Sequence, residues 1–281
     1  MPTNEPRSER VSGTKCSSGA FTPRYVAIIP ALNEEACISH VVRALSELTR
    51  PGGTRTFSAI VVGDNGSTDR TREVASAAGA RIARAMSRGY GHGCLAATRI
   101  TPQADVYVFV DGDDTVDYSQ IESLLVSIEN GADLSIGCRV NREARSMSAA
   151  QIFGNALCCW LIRVFWGASV YDLGPLRAIR APVFRALNMS ALTYGWTLEM
   201  QIKAHEQARV TVEIPVSTLP RPIGESKVSP NLLSALRCGR VMLTTIFKLW
   251  ISRRTRTARS SLPNLTPTYP PFHNPTKEIQ P

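Results

Sequence analysis

Histidine is scarce in this chain, with four residues in 281, and none of its seven cysteines (16, 37, 94, 138, 158, 159, 238) forms a CxxC pair. Zinc-ligand and dithiol redox patterns are therefore missing. The cysteines read as small core residues of a reducing compartment. No stretch reaches about 18 consecutive apolar residues, the length of a spanning helix. Arg163 interrupts 152–171, and Arg237, Arg240 and Lys248 interrupt 232–250. Residues 1–19 are polar and lack the apolar core of a signal peptide, so a cytoplasmic location is expected. The first apolar strand runs into Pro30-Ala-Leu-Asn-Glu-Glu35, without the GxGxxG of a dinucleotide site. The glycine-rich turn Arg88-Gly-Tyr-Gly-His-Gly93 has no following Lys-Ser/Thr, so it is no P-loop.

What is present is basic. The net charge is +9, and Lys248, Arg253, Arg254, Arg256 and Arg259 cluster near the C-terminus without an acidic neighbour. Such an excess suits an anionic partner, whether an acidic membrane surface or a phosphorylated substrate; it also suits a solvated tail. A nucleic-acid partner would rest on that tail alone and is not expected.

The first half of the chain alternates strand and helix patterns. Apolar runs at 25–30, 57–63, 80–85, 105–110 and 133–137 predict strands. Helical patterns fill 34–48, 68–78, 118–129 and the stretch from the glycine turn to Arg99. This repetition predicts an α/β fold with a doubly wound, mostly parallel sheet flanked by helices. In the second half, helices are expected at 148–167, 196–207 and 232–250, and strands at 175–179 and 209–215. Residues 1–22 and the basic, Pro-rich stretch 253–281 read as disordered. A single domain over 23–229 lies between them, followed by an amphipathic helix at 230–252.

The chemistry concentrates at the end of one strand. Val106-Tyr-Val-Phe-Val110 runs into Asp111-Gly-Asp-Asp114. Carboxylates so close together repel one another, and a hard divalent cation relieves the repulsion and brings phosphates with it. In open α/β sheets, ligands bind at the carboxyl ends of strands. A second strand ends in Gly63-Asp-Asn-Gly-Ser-Thr-Asp69, a turn of carboxylate acceptors and free backbone donors. Arg139, Arg142 and Arg145 follow a third strand, either as cations for an anionic substrate or as a solvated basic loop.

Taken in order, Ile29-Pro-Ala-Leu-Asn-Glu-Glu35, Val61–Asp69, the glycine turn and Asp111-Gly-Asp113 resemble a family 2 glycosyltransferase of the GT-A fold. Four later pieces resemble its dolichyl- or polyprenyl-phosphate sugar synthase branch: Asp172-Leu-Gly-Pro-Leu-Arg-Ala178, Gly195-Trp-Thr-Leu-Glu-Met200, Glu213-Ile-Pro-Val216 and Arg221-Pro-Ile-Gly-Glu-Ser-Lys227. The resemblance spans about 24–229 and divides the domain into a nucleotide-sugar half (23–140) and an acceptor half (141–229).

The resemblance implies transfer of one sugar from a UDP- or GDP-sugar to a polyprenyl phosphate, with Mg²⁺ or Mn²⁺. Pro30, Asn33 and Glu35 would lie beside base and ribose, and Asp64 would hold the base. Gly89 and Gly91 would admit the nucleotide. Asp111 and Asp113 would form the metal pair, with Asp111 also beside the ribose. Arg221, Ser226 and Lys227 would close over the diphosphate. Asp172 and Glu199 would face sugar or acceptor. For a hydroxyl acceptor Asp172 is the expected base, whereas a phosphate acceptor needs cations such as Arg139.

The sequence departs from the pattern at Asp114-Thr-Val-Asp117, where Leu-Gln is common, and at His92. The Gln-x-x-Arg-Trp signature of processive synthases is missing. A soluble acceptor, or a non-catalytic scaffold that keeps the fold, remains open as an alternative. So does the role of 232–250, where Leu232, Leu236, Leu243, Ile246/Phe247 and Trp250 suggest one apolar face: a membrane-interface helix, a core helix or a contact for a partner subunit.

Overall fold

The computed structural model describes residues 23–140, 147–222 and 232–260. A seven-stranded sheet organises the chain, in the order β3-β2-β1-β4-β6-β5-β7. Its strands are β1 (Tyr25–Ala31), β2 (Phe57–Asp64), β3 (Arg81–Arg84), β4 (Val106–Phe109), β5 (Leu134–Arg139), β6 (Arg177–Arg180) and β7 (Thr211–Val216). All run parallel except β6, which lies antiparallel between β4 and β5. The mostly parallel sheet expected from the β-α rhythm is therefore present.

Every residue of β1 is buried, because helices cover both faces of the sheet. Alternation then divides its side chains. Ala27 and Ile29 pack in one layer with α1 (Ile38–Glu47) and α4 (Ile121–Glu129). Val26 and Ile28 pack in the other, with α3 (Tyr90–Arg99), α6 (Ala181–Leu187) and α7 (Trp196–Glu206). The remaining helices are α2 (Thr71–Ala77), α5 (Ala149–Trp166) and α8 (Leu232–Ser260). A third apolar cluster joins α5, α7 and α8 through Ile162, Leu198, Ile202 and Ile246.

Several boundaries differ from the sequence reading for local reasons. α1 starts four residues later than expected, because Asn33 takes a left-handed φ of 52° and residues 34–37 form a turn. α6 was not anticipated; it is seven residues long, with a proline in its first turn. α5 has the expected limits. Ser148 and Gln151 form a reciprocal capping box, and Gly167 ends the helix at a φ of 69°. α8 continues past 252 to Ser260, because the first proline beyond it is Pro263. The apolar residues expected on one face of α8 are divided: Ile246 is buried against α5 and α7, whereas Leu236 and Phe247 are exposed.

Sheet order locates the crevice. From β1 the chain moves to β2 on one side, and β4 lies on the other. The carboxyl ends of β1 and β4 thus flank a switch point, where the covering helices diverge and leave a cleft.

Candidate active site

Two cavities open at that switch point. The larger, of about 430 Å³, is bounded by Pro30, Glu34, Asn65, Asp113, Arg221 and Arg237, among others. The smaller, of about 230 Å³, lies between α5, α7 and α8, with Arg139, Asn155, Leu173, Trp196 and Met242 on its walls. Tyr90, Asp111 and Tyr194 belong to both. Asp111 therefore stands at the junction of an acidic and basic cleft and a mainly apolar pocket.

Electrostatics at the junction are tense. Burial, and then the charge of Asp113, push the Asp111 carboxyl up from the usual carboxylate range to about 7. The Tyr90 hydroxyl donates to Asp111 Oδ1 at 3.0 Å. Asp113 accepts from the Thr115 hydroxyl at 2.8 Å and pairs with Arg221 Nη2. The same guanidinium lies 3.5 Å from Glu34. Arg221 thus supplies the positive charge among these carboxylates.

Among the described residues no group of three or more His, Cys, Asp or Glu could by itself hold a metal. A Mg²⁺-type ion needs no such cage, since one or two carboxylates, substrate phosphates and water complete its shell. The raised Asp111 carboxyl beside Asp113 has the donor chemistry that such an ion would relieve.

Close backbone approach builds the rest. A Cβ on Gly63 would lie 2.2 Å from the Gly93 carbonyl oxygen, so α3 packs on β2 backbone to backbone. A Cβ on Gly89 would lie 2.2 Å from the Leu192 carbonyl oxygen, and one on Gly91 2.3 Å from that of Ala191. These two glycines admit the 190–192 loop across the start of α3, which carries Tyr90 to Asp111. Glu199 holds that loop from beneath. Only 1% exposed, it accepts from the backbone of Ser190 and Ala191 and pairs with Lys203 at 2.7 Å. Burial raises its carboxyl, but Lys203 and the loop hydrogen bonds outweigh that and hold it below its ordinary value. Glu199 is thus a wall residue, not one facing either cavity.

Asp172 has a similar place. It is fully buried and accepts from Arg139 through the backbone N–H at 2.9 Å and through Nε and Nη2 at 2.8 Å each. It holds Arg139 on the wall of the smaller pocket.

Of the other residues singled out from the sequence, Pro30, Gly89, Asp111, Asp113 and Arg221 border the larger cavity, whereas Gly91 packs against the 190–192 loop and Trp196. Asn33 instead ties two loops together. Its amide oxygen accepts from Thr68 N at 2.8 Å, and its own N–H donates to Ser67 Oγ. Glu35 pairs with Arg70 at 2.7 Å. Asp64, 2% exposed, caps its own turn by accepting from Ser67 N at 3.1 Å, and it is Asn65 that borders the cavity. Ser226, Lys227, Arg142 and Arg145 lie outside the described residues. Glu34, Arg88, Tyr90 and Arg237 also border the larger cavity, although the sequence reading gives them no site role. Glu34 is part of a quoted motif and was within reach; Arg237 comes from α8, with no local signal.

Solved structures share this architecture. A glucosyl-3-phosphoglycerate synthase from Mycobacterium tuberculosis, crystallised with Mn²⁺, UDP and glucosyl-3-phosphoglycerate, superposes with a TM-score of 0.62 at 20% identity, over 80% of this chain and 79% of that one. An uncharacterized glycosyltransferase of M. tuberculosis is 32% identical over 213 residues, 74% of this chain and 91% of the relative. A dolichyl-phosphate hexose transferase of Haloferax volcanii is 29% identical over 204 residues, covering 72% and 86%. An undecaprenyl-phosphate 4-deoxy-4-formamido-L-arabinose transferase of Pseudomonas paraeruginosa is 31% identical over 231 residues, covering 79% and 66%. The profile of Glycosyl transferase family 2 matches residues 26–192, and with the GT-A architecture described above this chain belongs to that family.

Proposed function

We propose that the chain transfers one sugar, with inversion, from a nucleoside-diphosphate sugar in the larger cavity to a polyprenyl phosphate in the smaller one. The observation that carries this reading is the meeting of the two cavities at Asp111. The polar cleft suits a nucleotide diphosphate, with Pro30 and Asn65 on its wall, Arg88 and Arg237 lining it as cations for phosphate oxygens, and Arg221 beside them bridging Asp113 and Glu34. The smaller pocket suits a lipid phosphate. Its walls are largely apolar, Arg139 supplies a cation, and Asn155 Nδ2 and Trp196 Nε1 are buried N–H groups without a hydrogen-bond partner among the described residues. Such orphan donors cost free energy until a ligand accepts from them. Two of the relatives described above carry lipid-phosphate transferase names.

The chemistry follows from charge. An acceptor phosphate oxygen attacks the anomeric carbon from the face opposite the leaving diphosphate. The bond from that carbon to the diphosphate oxygen breaks, and its electron pair leaves with the nucleotide. Arg221 and Arg237 stabilise the developing negative charge. A divalent ion held by Asp111 and Asp113 would supply further electrophilic stabilisation of the diphosphate. A phosphate monoester has its second pKa near 6, so it is already an anion at neutral pH and needs no base. Asp172, engaged by three hydrogen bonds from Arg139, fits that demand.

The test is direct. Purified protein is incubated with UDP- and GDP-sugars, Mn²⁺ or Mg²⁺, and a short-chain polyprenyl phosphate in detergent, and products are read by mass spectrometry. A glycosyl-phosphoryl lipid supports the proposal. Glycosylation of soluble hydroxyl compounds alone would replace the acceptor half of it.

A further inference from the structure

α5 and α8 expose large apolar side chains that no part of the described chain covers. On α5, Phe153 is 70% exposed, Trp160 57% and Val164 54%. On α8, Leu233, Leu236, Phe247 and Ile251 are exposed as well. Apart from Phe247, whose ring meets Phe165 of α5, they fall on the side away from the shared cluster with α7, which takes Cys158 and Ile162 of α5 and Ile246 of α8. Exposed apolar surface on this scale marks an interaction site.

The charge of the same helices selects the partner. Neither 149–166 nor 232–260 contains an acidic residue, whereas Arg163, Arg240, Lys248 and Arg254 accompany the apolar side chains. In a two-fold dimer the same patch would lie on both sides, and the cations of one copy would find no carboxylate on α5 or α8 of the other. An anionic bilayer instead accepts both components: apolar side chains enter the acyl boundary, and cations meet lipid headgroups. Among the described helices α5 is the one long and apolar enough to cross a membrane, but Cys158, Ile162 and Trp166 are buried in the protein's own cluster. The helix therefore lies along the domain surface.

The pocket completes the argument. Ala150 and Gly154 of α5 and Ala235 and Gly239 of α8 border the smaller cavity. Each is within one helical turn of an exposed apolar residue, so the helices that would touch lipid also frame the pocket. We infer that the α5–α8 face is a docking surface for an anionic lipid bilayer, through which a lipid acceptor reaches the smaller cavity without leaving the membrane. This rests on the acceptor reading proposed above.

Sedimentation with phosphatidylglycerol-containing vesicles tests it, with phosphatidylcholine vesicles as reference. Wild type is expected to bind the anionic vesicles and to release as salt rises. Arg240→Glu/Lys248→Glu should lower partitioning by at least about 25-fold, roughly fivefold for each cation lost near such a surface. Phe153→Glu/Trp160→Glu should abolish binding and remove quenching of tryptophan emission by brominated lipid. Both variants alter exposed positions, and circular dichroism should show an unchanged fold. Wild-type binding that neither variant weakens, or none to either vesicle, overturns the inference. So does a wild-type dimer in sedimentation velocity that Phe153→Glu/Trp160→Glu converts to monomer. Turnover of detergent-dispersed polyprenyl phosphate is measured in parallel and should be unchanged in both variants. Vesicle binding decides the surface and detergent turnover decides the acceptor, so each failure is distinguishable from the other.

Discussion

Arg139 grips Asp172 through both carboxylate oxygens, each at 2.8 Å, and the carboxylate has no exposed surface. The pair fixes one wall of the pocket proposed for the acceptor. If Asp172 positions Arg139, Asp172→Asn should raise KM for the acceptor and lower kcat by about tenfold or less, leaving the pH profile of kcat unchanged. Loss of a general base typically costs 10²–10⁴-fold and removes the acid limb of that profile. Arg139→Ala should be worse for folding, by roughly 3–5 kcal/mol, because it leaves a buried carboxylate without its cation. Chemical denaturation and steady-state kinetics on both variants check these outcomes.

Arg221 makes a second prediction. Its guanidinium bridges Asp113 and Glu34. The free protein thus keeps a cation where the proposed metal would approach Asp113. Arg221→Gln should bind Mn²⁺ more tightly than wild type when no nucleotide is present. With donor and acceptor supplied, its kcat should fall by about 10²-fold or more, as when one preorganised stabiliser of developing charge is removed. Mn²⁺ titration by electron paramagnetic resonance, paired with turnover, reads both effects. Weaker Mn²⁺ binding together with unchanged turnover would remove Arg221 from the site.

Asp111 gives a pH dependence. Its folded carboxyl is raised to about 7, first by burial and then by Asp113. The folded state therefore holds a proton that the unfolded chain, with an ordinary carboxyl, releases near pH 4. Stability from this group is present at low pH and is lost as pH rises through that interval toward 7. Asp111→Asn removes the penalty. In metal-free buffer at pH 8 it should raise Tm, and the gain should vanish near pH 4. The same variant should lose most transfer activity. Calorimetry across pH decides the matter, and a Tm difference that does not vary with pH would contradict the proposed cause.

These residues also show what the sequence could reveal. Strand ends were legible because buried β-formers give way abruptly to Asp, Asn and Gly, as at Val110–Asp111 and Gly63–Asp64. The orientation of a carboxylate was not. Glu199 and Asp172 stand in motifs that resemble substrate-facing ones, yet both are buried behind the cavities, braced by Lys203 and Arg139. The residue type says that a charge is needed, and only packing says on which side of the wall. Arg237 stands out in the sequence only as a charge within an apolar helix; its place at the cleft depends on α8 returning from far along the chain, which no local pattern encodes. The resemblance makes the glycine turn room for a nucleotide. At Gly91 the space is filled by the protein's own 190–192 loop.

That last difference makes the final prediction. A Cβ at position 91 would lie 2.3 Å from the Ala191 carbonyl oxygen and 2.8 Å from Trp196 Cε3. Neither neighbour yields easily. The Ala191 N–H is held by Glu199, and the Leu192 carbonyl accepts from His92 N at 3.1 Å. Trp196 is 1% exposed and packed edge-on to Phe109. Gly91→Ala must therefore push the start of α3 off the loop and draw Tyr90 away from Asp111. It should cost about 1–3 kcal/mol of stability, the usual range for overpacking, and weaken donor binding in isothermal titration. Gly154→Ala is the contrast. Its added methyl meets nothing within 4 Å, and in a helix it should add up to about 1 kcal/mol. Were Gly91→Ala as stable as wild type, with unchanged donor affinity, the close packing of α3 on the loop could not be what places Tyr90 against Asp111.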